Sequence, residues 1–283
     1  MMFVNSILSR RIGAAFMGLF LAGALTACVE ATVDEPEIAT RSVVETLPEY
    51  AALWDNDINL PPVPLEYLEG VNRRMLVYYE TDLEPGTIEV DPYAKFLYLI
   101  YDDGTAMRYP IAVGREGRGL RRTTYVGDKR EWPSWQPTAN MLRSEPEVYG
   151  GFARGIPGGK ASPLGARALY LYSGGGDTRF RIHGTNDLQS IGNSGSAGCI
   201  RMFNQDVIHL YDQVERGARV VIRSQEDSIR IEEELSGRGV ELPAFTIDPE
   251  EVYAFVEQEQ AEREARRLER EAAEAAEAAA GSS

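Results

Sequence analysis

Cysteine and histidine are both scarce in this chain of 283 residues: there are only Cys28 and Cys199, His183 and His209. So few cysteines cannot build a disulfide framework, and with so few histidines they cannot fill a structural zinc site. Each cysteine needs its own explanation. Positive charge is short as well. The formal net charge of −15 argues against nucleic acid as a partner. The apolar run Ile12–Leu25 is too short to span a bilayer comfortably. The hydrophobic share, 43%, is still that of a globular protein with a sizeable core.

The charge is unevenly placed. From Gly86 to Arg223 there are 18 Lys and Arg against 14 Asp and Glu, whereas the flanks hold 11 basic residues against 30 acidic ones. A basic centre suits a substrate that carries carboxylates. The flanks alone read as solvated.

The N-terminus has the order of a secretory signal: Arg10 and Arg11, the apolar run, then Thr26, Ala27 and Cys28. Leu25-Thr26-Ala27-Cys28 resembles a bacterial lipobox. That resemblance implies a signal peptide over 1–27 and lipidation of Cys28, which would tether the chain to a membrane. Val29, rather than Asp, follows the cysteine. In diderm lipoproteins this implies sorting to the outer membrane and a place on the periplasmic face of the envelope.

Residues 28–85 read as an acidic tether, with Pro36, Pro48, Pro61, Pro62 and Pro64 keeping it extended. Strand patterns begin near Arg74. Thr87–Asp91 is β-branched. Lys95–Asp102 and Thr105–Val113 flank Asp103-Gly104, a hairpin signal. Ala168–Ser173, Thr178–Gly184 and Ala218–Arg223 are further strands, so a mainly β domain is expected over 86–223. One helix is expected with Asn204 as its cap, Asp206 in its first turn and Gly217 at its end; His209 reads as an ordinary helix-face histidine. Gly114–Gly165 lacks periodicity and reads as a long lid loop, with Trp132 and Trp135 as its walls. Residues 224–283 form an acidic extension. Beyond Val256 it is Glu, Arg and Ala, able to bury little, and so a solvated helix or a frayed tail, dispensable for chemistry.

The chemistry concentrates in Ile182-His183-Gly184-Thr185-Asn186 and Ser196-Ala197-Gly198-Cys199-Ile200-Arg201. Thiolate is the reactive form of cysteine, and an imidazole titrating near neutral pH can take the thiol proton. Strand alternation places Arg179, Arg181 and His183 on one polar face. Gly198 permits a sharp turn whose backbone N–H groups can hold an oxyanion. An unpaired cysteine in an exported chain, in a turn of small residues, reads as functional rather than as an inert core thiol.

Fifteen residues separate His183 from Cys199, and the two motifs together resemble the signature of the L,D-transpeptidase catalytic domain. Trp132-Pro133-Ser134-Trp135-x-Pro137, Ile156-Pro157-Gly158-Gly159 and Ser162-Pro163-Leu164-Gly165-Ala166-Arg167 support it in the same order. So does Asp206 to Ile222 after the cysteine. The resemblance implies a mainly β fold, a sandwich or mixed sheet with short helices and a long lid over the active site. It implies Cys199 as nucleophile, His183 as base, the Gly184 carbonyl as its orienter and the N–H groups of Gly198 and Cys199 as the oxyanion hole. Ser196, Arg201, Arg181 and Arg179 become candidates for binding substrate, with the lid arginines Arg115, Arg118, Arg121 and Arg122 nearby. The substrate implied is the stem peptide of peptidoglycan, and the reaction implied needs no metal or organic cofactor. The acceptor stays open among a stem amine, an outer-membrane protein amine and water. Two positions depart from the family pattern: Ala197 stands where many members have His, and Ala161 where relatives have Asn. A sortase-like enzyme would place its histidine much further upstream, and a papain-like one would place cysteine before histidine. The alternative of another class is a catalytically idle, peptidoglycan-binding lipoprotein.

Overall fold

The computed structural model describes residues 45–114, 123–195, 199–243 and 248–281. The signal segment and Cys28, the lid arginines 115, 118, 121 and 122, and residues 196–198 lie outside the described residues.

The described chain is mainly β, with one large mixed sheet and short helices. The sheet strands, after a small hairpin β1 (Leu53–Asp55) and β2 (Ile58–Leu60), are β3 (Met75–Tyr78), β4 (Ile88–Asp91), β5 (Phe96–Ile100), β6 (Thr105–Pro110), β7 (Ala112–Val113), β8 (Thr124–Glu131), β9 (Arg167–Ser173), β10 (Gly176–Thr185), β11 (Ile200–Phe203) and β12 (Arg219–Ile222). Their spatial order is β3-β6-β5-β4-β12-β8-β9-β10-β11-β7. Only Ile111 separates β6 from β7, although the two stand near opposite margins of the sheet. At about 3.3 Å per residue, one residue cannot bridge a flat sheet. The sheet therefore curls until its margins meet, around a core of Leu97, Leu99, Ile111, Val113, Leu169, Leu171, Ile182, Ile200 and Met202.

Alternation explains how strands with charged residues can be wholly buried. In β4, Ile88 and Val90 enter the core, while Glu89 and Asp91 face the Arg223 guanidinium at 3.1 and 2.9 Å. In β5, Leu97 and Leu99 face that core, and Phe96, Tyr98 and Ile100 join a second cluster with Ala94 and Ala106. The Asp103-Gly104 turn falls where expected, with Gly104 at φ +78.

Several expectations are corrected. Residues 45–85 are not a tether. Tyr50, Val63 and Leu68 are buried against Ala112, Ile191 and Phe203. The prolines set an irregular wrap over the domain, closed by Arg74 and Tyr50 on the Asp206 carboxylate at 3.0 and 3.1 Å. The expected lid is shorter, because β8 lies inside it and pairs with β9 and β12. The remainder carries helices α1 (Ala139–Ser144) and α2 (Pro146–Tyr149).

The helix after β11, α3, is Asn204–Gln213. Phe203, not Asn204, occupies its cap position, and the helix ends at Gln213, not near Gly217. Val207 and Leu210, with Val214 just after the helix, pack it onto the core. His209 is half-buried and bonded through Nδ1 to the Tyr109 hydroxyl at 2.8 Å, a packing role. After α4 (Gln225–Glu232), helix α5 covers Pro249–Gly281. Its first turns are not solvated. Val252 and Val256 are buried with Phe152 and Ile156 of the lid. One apolar stripe was enough, because the lid supplies the facing aromatic and aliphatic groups.

Candidate active site

β10 and β11 run parallel, with Ile182 beside Ile200, His183 beside Arg201 and Gly184 beside Met202. Ile182, Ile200 and Met202 enter the core, so the partners His183 and Arg201 share the opposite face. β7 closes the other side of β11, with Ala112 beside Arg201 and Val113 beside Ile200. Cys199 immediately precedes β11, and the Gly114 N–H donates to its carbonyl at 3.4 Å. Strand alternation extended by one residue directs the thiol to the face of Arg201 and His183. The thiol and the Arg201 guanidinium are close enough to interact electrostatically. Cys199 is half-buried and is not in a disulfide.

His183 is 4% exposed. Its Nδ1 lies 2.6 Å from the Gly184 carbonyl oxygen, which can only accept a hydrogen bond, so Nδ1 carries the proton and donates it. That fixes the tautomer and leaves Nε2 with a lone pair. Burial pushes the imidazole pKa down to about 4, helped by repulsion from Arg201 and Arg181 and opposed by the Gly184 hydrogen bond. The ring is uncharged at neutral pH.

Gly184 is set by its surroundings. The Asn204 side chain accepts from the Ala166 N–H at 2.8 Å and donates to the Thr185 carbonyl at 3.0 Å. The amide thus ties the end of the lid to the strand end that carries His183. Sequence reasoning missed this role; Asn before an apolar helix reads as a cap.

Arg201 is committed within the protein. Nη1 donates to Asp187 at 3.0 Å and Nη2 to the Gly195 carbonyl at 2.8 Å; among the described residues only its buried Nε has no hydrogen-bond partner. It braces both ends of the 187–195 loop that leads to the nucleophile. Residues 240–242 brace it further, since the Ser194 N–H donates to Val240 at 2.9 Å and the Leu242 N–H to Ser194 at 2.7 Å. Asp187 carried no motif signal of its own.

Arg179 departs from the expected shared face, whereas Arg181, two residues before His183 in unbroken register with β9, keeps it. A register shift lies between Asp177 and Arg181, and Arg179 sits at φ +69, exposed. Alternation fails across such a bulge. Arg181 donates to both Asp177 oxygens at 2.7 and 2.8 Å and covers the Tyr170 ring at 4.0 Å. Trp132 and Trp135 do wall the lid. Trp132 Nε1 donates to Asp55 at 2.7 Å, and Trp135 exchanges backbone hydrogen bonds with Ile156 at 2.9 and 2.8 Å. Among the described residues, no group of three His, Cys, Asp or Glu side chains gathers as metal ligands.

A sequence profile of the L,D-transpeptidase catalytic domain (YkuD) matches residues 85–222. The putative L,D-transpeptidase YkuD of Bacillus licheniformis is 33% identical over 141 residues, 50% of this chain and 67% of that protein. The chain belongs to the L,D-transpeptidase catalytic-domain family. It is also similar to the probable L,D-transpeptidase ErfK/SrfK of Escherichia coli (strain K12), 35% identical over 133 residues, 46% of this chain and 41% of that protein. The chain spans about two fifths of the length of such curated relatives. A crystal structure described as a probable carnitine operon oxidoreductase from Brucella melitensis is 45% identical. The match covers 56% of this chain and 98% of that one, at a TM-score of 0.39.

Proposed function

We propose that this protein is a peptidoglycan L,D-transpeptidase in which Cys199 is the nucleophile and His183 its general base. The observation that carries the reading is the parallel β10–β11 pair. It sets a buried, uncharged imidazole, oriented by the Gly184 carbonyl, beside the strand that directly follows Cys199. Family membership supplies the substrate class, a tetrapeptide stem.

Nε2 of His183 takes the thiol proton as sulfur attacks the carbonyl that joins the stem to its terminal D-alanine. The oxyanion is held by N–H groups at Gly198 and Cys199. The C–N bond breaks, and His183 returns the proton to the departing amine of D-alanine. An acceptor amine then attacks the thioester, gives its proton to His183 and regenerates the thiol. A stem amine as acceptor gives a 3→3 cross-link, an outer-membrane protein amine gives covalent anchoring, and water gives a carboxypeptidase. Ser196 is a candidate for shaping the nucleophile turn. Arg179 and Arg181 are candidates for the outer reach of the stem. Lipidation at Cys28 would hold the enzyme on the periplasmic face of the envelope.

Intact-mass measurement with purified tetrapeptide muropeptide tests this. The wild type gains one acyl group and releases one D-alanine; Cys199→Ala does neither. An adduct on another residue, or release by Cys199→Ala, would sink the mechanism.

A further inference from the structure

Helix α5 lies outside the matched region, yet it touches the lid between Phe152 and Lys160. Residues 252, 256 and 259 recur at helical spacing and form one stripe. Val252 and Val256 meet Phe152 and Ile156. The Tyr253 hydroxyl donates to the Gly155 carbonyl at 3.0 Å. Glu259 ends the stripe and is 5% exposed. A carboxylate so deep needs donors. Both its oxygens accept from the Lys160 N–H, at 3.2 and 3.1 Å. Gly159 makes room for it, since a Cβ there would lie 2.7 Å from Oε2. The carbonyl of the same Lys160 accepts from the Asn186 side chain at 3.1 Å. Asn186 follows Thr185 at the end of β10. Glu259 and Asn186 therefore grip the two peptide groups of one lid residue from opposite sides.

We propose that Glu259 is a positioning residue. Through it α5 clamps the 156–160 stretch of the lid against the end of β10, and so fixes the lid beside which the donor stem binds. The stem as ligand rests on the proposed transpeptidase reaction; the clamp itself does not.

The apolar contacts of Val252 and Val256 survive in Glu259→Ala, so the helix stays docked while the lid loses its anchor. Glu259→Gln keeps one oxygen able to accept from Lys160. Three readouts on the full chain decide the matter: hydrogen exchange at amides 156–160, KM and kcat for D-alanine release from a tetrapeptide muropeptide, and the rate of Cys199 alkylation by iodoacetamide. In Glu259→Ala, exchange at 156–160 should quicken and KM should rise about tenfold, the scale of a lost hydrogen bond to a charged group. The kcat and the alkylation rate should stay within about twofold, because nucleophile and base are untouched. Glu259→Gln should recover most of the KM. Unchanged exchange and KM in Glu259→Ala would overturn the clamp. A parallel collapse of kcat, alkylation and melting temperature would overturn the positioning role in favour of a general structural one. If the wild type releases no D-alanine, the reaction is misassigned, and the exchange result still decides the clamp.

Discussion

A Cβ built on Gly184 would lie 2.1 Å from Oδ1 of Asn204, because the asparagine amide fills the space beside the strand end that carries His183. Gly184→Ala must therefore displace Asn204 and break its bonds to Ala166 and Thr185. The expected cost is about 1–3 kcal/mol in urea unfolding, the range for overpacking a filled site. The displaced imidazole should also cut D-alanine release about 100-fold. Near-normal turnover by the folded variant would show that the amide does not position His183.

His183 makes stability depend on pH. Its folded pKa, about 4, lies below the ordinary 6.5, so between those values the unfolded chain binds a proton that the folded chain refuses. The contribution is fully present above about pH 6.5 and falls away as pH drops toward 4. It is worth about 3 kcal/mol at most. Other buried groups titrate nearby, among them Asp206, which burial pushes up to about 7. The difference between wild type and His183→Gln isolates the imidazole. The stability of the wild type relative to the glutamine variant should decline over that window; a constant difference would contradict a ring held neutral.

Arg201→Lys keeps the charge but cannot span Asp187 and the Gly195 carbonyl with one planar group. The loop before Cys199 should loosen. We expect kcat/KM to fall about tenfold or more while the fold persists by circular dichroism. Full activity would mean that the two-pronged grip is dispensable.

Asp55, on the β1–β2 hairpin, takes both Arg167 nitrogens at 2.6 and 2.9 Å along with Trp132 Nε1. Asp55→Ala leaves the buried Arg167 guanidinium with only the Ala166 carbonyl at 2.8 Å and the Glu131 carboxylate at 3.9 Å, a loss approaching the roughly 3–5 kcal/mol of a broken buried ion pair. Asp55→Asn should recover part of it by still accepting from Trp132. Thermal unfolding of both variants reads the order, and equal stability of Asp55→Ala and wild type would refute it.

Cys28→Ser should block lipid attachment and release the protein from membranes on cell fractionation. Normal membrane retention of that variant would remove the lipid anchor from the proposal.

The hairpin at Asp103-Gly104 and the His183 and Cys199 motifs were legible because each depends on neighbours in sequence. β8 was not. In Thr124–Glu131 the alternation stops at Gly127, and a register shift sits between Val126 and Asp128. The wrap of residues 45–85 was hidden for another reason. Tyr50 is buried by Phe203 and bonded to Asp206, partners more than a hundred residues away, and no local pattern announces them. By spacing alone Glu259 is an i,i+4 partner of Arg263 on a solvated helix. Only the glycine opposite it turns that position into a buried anchor.

The parallel register of β10 and β11 separates what can vary from what cannot. The connection 186–198 can lengthen at small entropic expense, about 0.6 kcal/mol for each doubling. One residue inserted between Cys199 and Arg201 would turn the thiol to the other side of the sheet. Length can therefore be added between the two motifs only away from Asp187 and Gly195, which Arg201 grips, and the phase between Cys199 and Arg201 is quantised in steps of two residues.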